Sequence, residues 1–277
     1  MDLASEIRDN VARALAEDVG TGDLTAQLIP QDRSAHARII CREPMVLCGS
    51  AWLDQVYRQI EPRITVRWHA QDGASIPGCA LLCELDGPAR GLLSGERTAL
   101  NFLQTLSAVA TRTRSFVDAI AGTAAQILDT RKTLPGLRLA LKYAVRCGGG
   151  QNHRIGLYDG VLIKENHIAA AGGIRQALRH AAEVAAGVPI QIEVESLAQI
   201  EEAISAGATL ILLDNFDVAG LREAVRITAG RATLEASGGV TLETVRAIAE
   251  TGVQRISVGS LTKDIRAADL SMRFVET

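Results

Sequence analysis

From residue 124 onward, short apolar runs alternate with amphipathic helical segments, and this alternation limits the folds that the chain can adopt. Six of the apolar runs are typical of buried strands: Ala125–Leu128, Val161–Ile163, Ile190–Val194, Leu210–Leu213, Ala232–Glu235 and Arg255–Val258. Repeated strand–helix units place their strands parallel, in a barrel or in a doubly wound sheet. We favour a barrel, because polar residues follow each strand. Since six units are fewer than a closed barrel needs, we predict an open, incomplete α/β barrel.

The first part of the chain has a different pattern, in which short strand-like runs surround one helix at 51–60. The runs are Ala37–Cys41, Met45–Leu47, Ile64–Trp68 and Ala80–Leu85. Strands on one side and helices on the other indicate an α+β layer. We therefore divide the chain into an N-terminal domain, residues 1–108, and a barrel domain, residues 109–266. The last residues, 267–277, can return to the first domain as a strand.

A long helix is predicted from Ser94 to Ala121, with Ser94 as its N-cap. This start places Arg97 in the first turn, where the helix dipole disfavours a cation. A misplaced arginine of this kind is typical of a residue directed at an anion.

Composition excludes several classes of protein. The formal net charge of −3 gives no indication of a nucleic-acid or membrane-surface partner. No apolar run is as long as a membrane span, and the polar, acidic N-terminus is unlike a signal peptide. The five cysteines form no CxxC pair, so reduced thiols in the cytosol are expected rather than disulfides or zinc.

Polar residues follow each predicted barrel strand, at the end where parallel barrels gather their catalytic groups. In chain order the six ends carry Asp129–Lys132, Lys164–Asn166, Glu193–Ser196, Asp214–Asn215, Glu235–Gly239 and Gly259–Ser260. Basic groups come first, then carboxylates, then glycine-rich turns whose N–H groups commonly bind phosphate. The order predicts a phosphorylated, anion-rich ligand. Glu195 and Asp214 are then available for ribose hydroxyls, for Mg²⁺ or for a developing cation.

Basic residues are concentrated between Leu128 and Ile168. Three of the chain's four lysines lie there, namely Lys132, Lys142 and Lys164, although arginine is the usual basic residue of this protein. His153 by itself is more often structural than catalytic, whereas the neighbouring Arg154 suits bidentate binding of a carboxylate.

These segments resemble one known family, the quinolinate phosphoribosyltransferases. The resemblance rests on DTRKTLPGLR, KYAVRCGGGQNHRIGLYDGVLIKENHI, IEVE, LLDNF, LEASGGV, ISVGSLT, EDVGTGDLT and LLSGERTALNFLQTLS. It covers nearly the whole chain. One departure is Ser107–Ala108, where the family usually has Ser-Gly.

The resemblance implies a fold, an assembly and a reaction. The fold is an N-terminal α/β sandwich followed by an open α/β barrel. The assembly is a cytoplasmic homodimer with shared active sites, or a hexamer built of such dimers. The reaction transfers phosphoribosyl from 5-phosphoribosyl 1-pyrophosphate (PRPP) to quinolinate with decarboxylation. It gives nicotinate mononucleotide, pyrophosphate and CO₂ in NAD biosynthesis, and requires Mg²⁺.

The resemblance also assigns roles to residues. It implies that Lys132, Glu195 and Asp214 are catalytic. The two carboxylates would hold Mg²⁺ directly, through water or through PRPP. The implied substrate-binding residues are Arg97 of a neighbouring subunit, Thr130, Arg131, Lys132, His153, Arg154, Lys164, Glu195, Asp214, Ser237, Gly238, Gly239, Val258, Gly259 and Ser260.

Three alternatives compete with this interpretation. The first is a relative with the same fold and another substrate, such as the molybdenum-associated one, which the intact Arg131, His153 and Lys164 oppose. The second is a Schiff-base aldolase using Lys164. The third is a non-enzymatic ligand-binding barrel, which would not need so many charged groups facing one cavity.

Overall fold

The computed structural model describes residues 2–185 and 187–275. The chain divides into two compact units. Unit 1 consists of residues 1–114, 133–149 and 262–277, and unit 2 of residues 115–132 and 150–261. This division differs from the predicted cut after residue 108, because segment 133–149 and the C-terminal segment pack with the N-terminal residues.

Among the described residues, unit 1 combines helices with a small antiparallel sheet. Its helices are α1 (Leu3–Asp18), α2 (Ser50–Ile60), α3 (Ala89–Ala119, of which 115–119 count with unit 2) and α4 (Arg138–Cys147). Its strands are β1 (Ser34–Cys41), β2 (Met45–Val46), β3 (Thr65–Trp68), β4 (Ser75–Ile76), β5 (Leu81–Pro88) and, in chain order, β12 (Leu270–Phe274). The main sheet has the order β12-β1-β5-β3, and β2 pairs separately with β4.

The C-terminal strand confirms the predicted return of the chain to its first domain. β12 pairs antiparallel with β1, with Met272 opposite Ile39, while Cys83 of β5 lies on the other side of Ile39. Ala37, Ile39 and Cys41 are all buried, as expected for alternate residues that share one face of a strand. Residues 276 and 277 of the predicted return segment lie outside the described residues.

Helix α3 begins earlier than predicted. It starts at Ala89, directly after Pro88 ends β5, so Ser94 is not its N-cap. The Ser94 hydroxyl instead donates to the Asp23 carboxylate at 2.7 Å. Arg97 consequently lies in the third turn and not the first, so its predicted position at an unfavourable end of the helix dipole is wrong.

Unit 2 consists of alternating parallel strands and helices over its described residues. Its strands are β6 (Gln126–Leu128), β7 (Val161–Ile163), β8 (Ile190–Val194), β9 (Leu210–Asp214), β10 (Thr233–Ser237) and β11 (Arg255–Ser257). Its helices are α5 (Glu165–Ala171), α6 (Ile174–Val184), α7 (Leu197–Ser205), α8 (Val218–Thr228) and α9 (Leu242–Ala249). All six predicted strands are confirmed, with bounds shifted by one or two residues at most.

The strand order shows how the barrel remains open. The order is β6-β11-β10-β9-β8-β7, so the first strand of the unit pairs with the last. From β7 to β11 each strand lies beside the next one in the chain. The two strands at the ends of the sheet are therefore β6 and β7, and the barrel is open between them. There, Gln151 forms an isolated parallel bridge with Leu128. The predicted open α/β barrel is therefore confirmed.

Two helices on the barrel, α7 and α8, begin at side-chain caps that the sequence supplies. The Asp217 carboxylate accepts the Gly220 N–H at 2.7 Å and caps α8, and the Ser196 hydroxyl accepts the Gln199 N–H and caps α7. Each cap follows a strand end, so each helix starts directly beyond the carboxyl edge of the sheet. In the described part of the chain, no helix combines the length and the apolar character needed to cross a membrane.

Candidate functional site

Four of the predicted site residues of unit 2, Glu195, Asp214, Ser237 and Lys164, lie at the carboxyl ends of neighbouring parallel strands. Val194 pairs with Leu213, which places Glu195 and Asp214 side by side. Asp214 pairs in turn with Ser237. Ile163 pairs with Ile192, so Lys164 lies beside Glu193, two residues before Glu195. Since all strands are parallel, the residues that follow their carboxyl ends share this edge.

A buried carboxylate connects β6 to the segment after the three glycines. Asp129 directly follows β6 and has no exposed surface. Its Oδ1 accepts the His153 N–H at 2.9 Å, and its Oδ2 accepts the Asn152 side-chain amide at 2.6 Å. The backbone of Gln151 bonds to Ile127 and Asp129 on the same side. These bonds fix the start of the His153–Arg154 segment beside β6.

Hydrogen bonds inside the barrel fix the orientation of the His153 ring. Its Nδ1 accepts the Arg154 N–H at 2.8 Å, so the ring proton is on Nε2 when the ring is neutral. Nε2 faces the Gln191 Oε1 at 2.8 Å and the Glu235 Oε1 at 3.5 Å. Gln191 also donates to Glu235 Oε2 at 3.0 Å, and both side chains are buried. His153 is thus an oriented member of a buried polar network.

The positive charges of Arg131 and Arg154 act on each other. Burial, and then the positive charge of Arg131, lower the pKa of Arg154, whereas Asp159 raises it. The Arg154 guanidinium donates to the Gly160 carbonyl at 2.8 Å, and Asp159 accepts the N–H groups of Ile155 and Gly156. The loop therefore holds Arg154 near a second cation. An arrangement of this kind is favourable for an anionic ligand with more than one carboxylate.

Lys132 lies against the turn that follows β11. Its backbone N–H donates to the Thr130 hydroxyl at 3.0 Å. A side chain at Gly259 would come within 3.0 Å of the Lys132 Cδ, so the lysine stem runs over that glycine. The neighbouring Val258 is buried, and its N–H donates to the Leu128 carbonyl. Phosphate binding by the turn 258–260 stays a prediction, and the N–H groups of Gly259 and Ser260 are the ones it would use, since the Val258 N–H is paired.

The turns after β9 and β10 interlock. Asn215 and Gly238 both have left-handed φ angles, +57° and +101°. A Cβ at Gly238 would lie 2.8 Å from the Asn215 Cγ and would overlap its side-chain oxygen. The Asn215 N–H donates to the Ser237 carbonyl, and its amide donates to the Asp214 carboxylate at 2.8 Å. Glycine is thus required at this position, and Asn215 orients the Asp214 carboxylate.

Lysine and carboxylate groups meet after β7 and β8. The half-exposed Lys164 ammonium lies 2.9 Å from the Glu193 carboxylate. Its backbone is the N-cap of α5, and its N–H donates to the His167 ring at 3.0 Å. Glu195, two residues after Glu193, is exposed, and its N–H donates to the Gln199 side chain.

Glu195 and Asp214 are carboxylates at the ends of adjacent strands, and their binding of Mg²⁺ stays a prediction. Among the described residues, neither belongs to a group of three or more His, Cys, Asp or Glu donors within metal-ligand distance. Two adjacent carboxylates without a complete protein cage suit a Mg²⁺ ion that is also held by substrate phosphates. They do not suit a structural metal with all its ligands from the protein.

Arg97 is the one predicted site residue that belongs to unit 1. It is exposed on α3. No sequence pattern assigned a specific role to Asp129, Gln191, Glu193, Asn215 or Glu235. One signal was present for Gln191, a polar residue in the middle of the apolar run that forms β8.

Comparison with known families gives matches over almost the whole chain. The family model described as quinolinate phosphoribosyl transferase, N-terminal domain, matches residues 23–107. The model for the C-terminal domain of the same family matches residues 109–273.

Relatives and solved structures agree with the family models. The probable nicotinate-nucleotide pyrophosphorylase [carboxylating] of Bacillus subtilis is 44% identical over 92% of this chain and 89% of its own length. The nicotinate-nucleotide pyrophosphorylase [carboxylating] of Mycobacterium leprae is 43% identical over 96% of each chain. The structure of the Francisella tularensis nicotinate-nucleotide pyrophosphorylase superposes with a TM-score of 0.96, at 45% identity, over 98% of this chain and 97% of that one.

Proposed function

The chain belongs to the quinolinate phosphoribosyltransferase family, and we propose that the carboxyl edge of its barrel binds the two substrates of that family's reaction. The chain transfers the phosphoribosyl group of PRPP to quinolinate with loss of CO₂. The products are nicotinate mononucleotide, pyrophosphate and CO₂, in the biosynthesis of NAD.

The observation that carries the proposal is the strand register that brings Glu195, Asp214 and Ser237 together at one edge, and the mutual effect of the Arg131 and Arg154 charges supports it. Quinolinate has carboxylates on adjacent ring atoms, and two guanidinium groups can each bind one of them through paired hydrogen bonds. Lys164 adds a third positive charge. Its ammonium group, which lies 2.9 Å from the Glu193 carboxylate, leaves that ion pair and binds a substrate carboxylate instead. His153 supports this arrangement, because its ring is held by Gln191 and its backbone by Asp129.

The phosphate groups of PRPP bind at the other side of the same edge. Ser237, Gly238 and Gly239 after β10, with Gly259 and Ser260 after β11, offer backbone N–H groups for the 5-phosphate. Thr130 and Lys132 lie against Gly259, so the Lys132 ammonium can neutralise the leaving pyrophosphate. Glu195 and Asp214 hold the ribose hydroxyls.

The reaction requires stabilisation of positive charge at the ribose. The pyridine nitrogen attacks the anomeric carbon as pyrophosphate leaves, and the transition state resembles an oxocarbenium ion. The carboxylates of Glu195 and Asp214 stabilise that charge more in the transition state than in the ground state. The ribosylated ring nitrogen is cationic, so the ring accepts the electron pair of the departing 2-carboxylate. The arginines hold the ring in place while this bond breaks.

Mg²⁺ is part of the proposal. Glu195 and Asp214 hold it together with the phosphates of PRPP, directly or through water. When bound, the ion lowers the negative charge of the pyrophosphate leaving group. Arg97 completes the site from a neighbouring subunit, in a homodimer or in a hexamer of dimers. A cytoplasmic location also stays a prediction.

A reconstituted reaction tests the proposed function. The purified chain is incubated with quinolinate, PRPP and Mg²⁺, and nicotinate mononucleotide and CO₂ are measured. The proposal predicts equal amounts of both products and no CO₂ when PRPP is omitted. Product formation from another acceptor but not from quinolinate would favour a relative with the same fold. Trapping of a carbonyl substrate on Lys164 by borohydride would favour the aldolase.

A further inference from the structure

Two cysteines that are far apart in the sequence lie next to each other in unit 1. Cys48 follows β2, and Cys147 is the last residue of α4. Their Sγ atoms and a carboxylate oxygen of Asp72 all lie within 4.8 Å of one another. Cys48 has no exposed surface, whereas Cys147 is half-buried and accessible to small molecules. Neither thiol takes part in the proposed reaction.

The backbone around the pair is held in place. The Cys48 N–H donates to the Ser107 hydroxyl at 3.0 Å, and that hydroxyl donates to the Cys48 carbonyl at 3.1 Å. The Asp72 carboxylate accepts the N–H groups of Gly49 and Ser50 at the start of α2 and the Tyr143 hydroxyl of α4 at 2.9 Å. These bonds keep the two sulfur atoms close without a covalent link.

The surroundings divide the two thiols into a reactive and a protected one. A hydrogen bond from the Cys48 thiol lowers the pKa of Cys147, against burial and the Asp72 charge, which both raise it. Burial raises the pKa of Cys48 well above its ordinary value. Cys147 is also the more exposed of the two, so an oxidant from solution reaches it first, and it is the thiolate form that reacts.

We propose that Cys147 and Cys48 form a reversible disulfide when the protein meets a peroxide, with Cys147 as the attacking thiol and Cys48 as the resolving one. In the first step the Cys147 thiolate attacks one peroxide oxygen, the O–O bond breaks, and hydroxide leaves. Cys147 becomes a sulfenic acid. The Cys48 sulfur then attacks the Cys147 sulfur, the S–O bond breaks, and the Cys48 proton leaves with the hydroxide as water. In total, two thiols and one hydrogen peroxide give one disulfide and two waters. A thiol reductant reverses the oxidation.

The geometry favours this chemistry over binding of a metal. A metal site would need both thiolates and Asp72 as ligands. The Asp72 oxygens already accept three hydrogen bonds that hold the start of α2 and the Tyr143 side chain. A metal would have to break some of these bonds, whereas a disulfide leaves Asp72 as it is and requires the two Sγ atoms to approach from within 4.8 Å to about 2 Å.

The other cysteines provide internal comparisons. Cys79 is exposed, so a reaction governed by access alone would modify it first. Cys41 is buried, and its thiol donates to the Pro77 carbonyl at 3.2 Å. Burial raises the pKa of the Cys83 thiol, so it is protected like Cys48. The proposal therefore predicts oxidation at the half-buried Cys147 in preference to the exposed Cys79.

Peptide mapping of the full-length folded protein after treatment with hydrogen peroxide tests the proposal. The wild type is expected to lose two hydrogens in a cross-linked pair of peptides containing Cys48 and Cys147, and dithiothreitol should reverse the change. Cys48→Ser should accumulate a sulfenic acid on Cys147 that dimedone traps, and Cys147→Ser should form neither product. The control Cys79→Ser should form the disulfide at the wild-type rate.

Several results would overturn the proposal. One is faster oxidation of Cys79 than of Cys147. This comparison is made in the wild-type protein, so it does not depend on whether a variant folds. Another is a disulfide that joins other cysteines. A third is stoichiometric Zn²⁺ binding to the wild type, lost in both serine variants, with no disulfide on oxidation, which would assign the pair to a metal.

Discussion

Lys132 and Glu195 are the residues at which a change of charge should affect the reaction and leave the fold intact, because both side chains are exposed. Alanine at either position should lower kcat by roughly 10²-fold or more, as removal of other electrostatic groups does. Circular dichroism and steady-state kinetics measure the two effects. Lys263→Ala is the matched control, since Lys263 is an exposed lysine that contacts only the adjacent Asp264 among the described residues. Full activity of Lys132→Ala or Glu195→Ala would contradict the roles assigned here.

Gly238 is constrained by its neighbour as well as by its backbone. Gly238→Ala should destabilise the protein by about 1–3 kcal/mol for the left-handed backbone, with a further cost from overlap with Asn215. It should also raise the KM for PRPP, because Asn215 orients Asp214. Gly230→Ala is the control, because Gly230 has a φ of +76° and no other group within 4 Å of the position that its Cβ would take. Urea unfolding of both variants should show the larger loss for Gly238→Ala, and equal losses would contradict the contact.

The elements of the barrel could be predicted closely from the sequence, and helix α3 could not. Strand bounds follow from apolar runs that end at polar residues, so they need only local information. The start of α3 depends on tertiary packing. Gly91 and Gly95 resemble helix breakers, yet both lie inside α3, where a Cβ would come within 2.6 Å of Glu61 and 2.8 Å of Tyr57. These glycines allow close packing against α2, which no sequence pattern shows.

The site shows the same division between local and long-range information. Residues that follow strand ends, such as Asp214 and Lys164, were found because their position in the pattern is sufficient. Gln191 and Glu235 act through a hydrogen bond across the barrel interior, and the Val258 N–H pairs with the Leu128 carbonyl of another strand. These pairings join residues of different strands, so only coordinates can show them.

The antiparallel sheet of unit 1 contains a carboxylate whose effect on stability depends on pH. The buried Glu84 of β5 contacts His69 at 3.0 Å, Arg67, Arg38 at 3.1 Å and His36 at 3.4 Å. Hydrogen bonds from His69 and then Arg67 lower the pKa of Glu84 to about 2, from an ordinary value of 4.5. A lowered pKa means that the stabilisation is present above pH 4.5 and is lost as the pH falls towards about 2.

Glu84→Gln should therefore be less stable than the wild type at neutral pH, and the difference should shrink as the pH falls through this window. Unfolding free energies from urea titrations at several pH values measure it. Glu250→Gln is the control, because Glu250 forms an exposed ion pair with Arg246 that should contribute little at any pH. A difference that stays constant down to about pH 3, well below the ordinary carboxyl pKa, would contradict the assignment.

At the scale of the whole molecule, the proposal requires Arg97 to act in the active site of a neighbouring subunit. Arg97→Ala and Arg154→Ala homodimers should each keep no more than roughly a tenth of the wild-type activity at a quinolinate concentration below KM. In randomly mixed dimers, half of the dimers are hybrid and each hybrid has one intact site, so about one quarter of the wild-type activity should return. Co-expression with two affinity tags, followed by a turnover assay, measures this recovery. Mixed dimers without any recovery would argue that Arg97 does not complete a neighbouring site.

The central claim is that Arg131 and Arg154 bind one dicarboxylate at the edge of the barrel, and kcat/KM for quinolinate tests it most directly. Each alanine variant should lose roughly tenfold to hundredfold in kcat/KM for quinolinate, since each charge-assisted hydrogen bond contributes about 1.5–3 kcal/mol. The double variant should lose less than the product of the two single losses, because both residues bind the same ligand. Arg231→Ala, which removes an exposed ion pair with Glu201, should keep the wild-type value. Values of kcat/KM for quinolinate that stay within twofold of the wild type in both single variants would contradict the account.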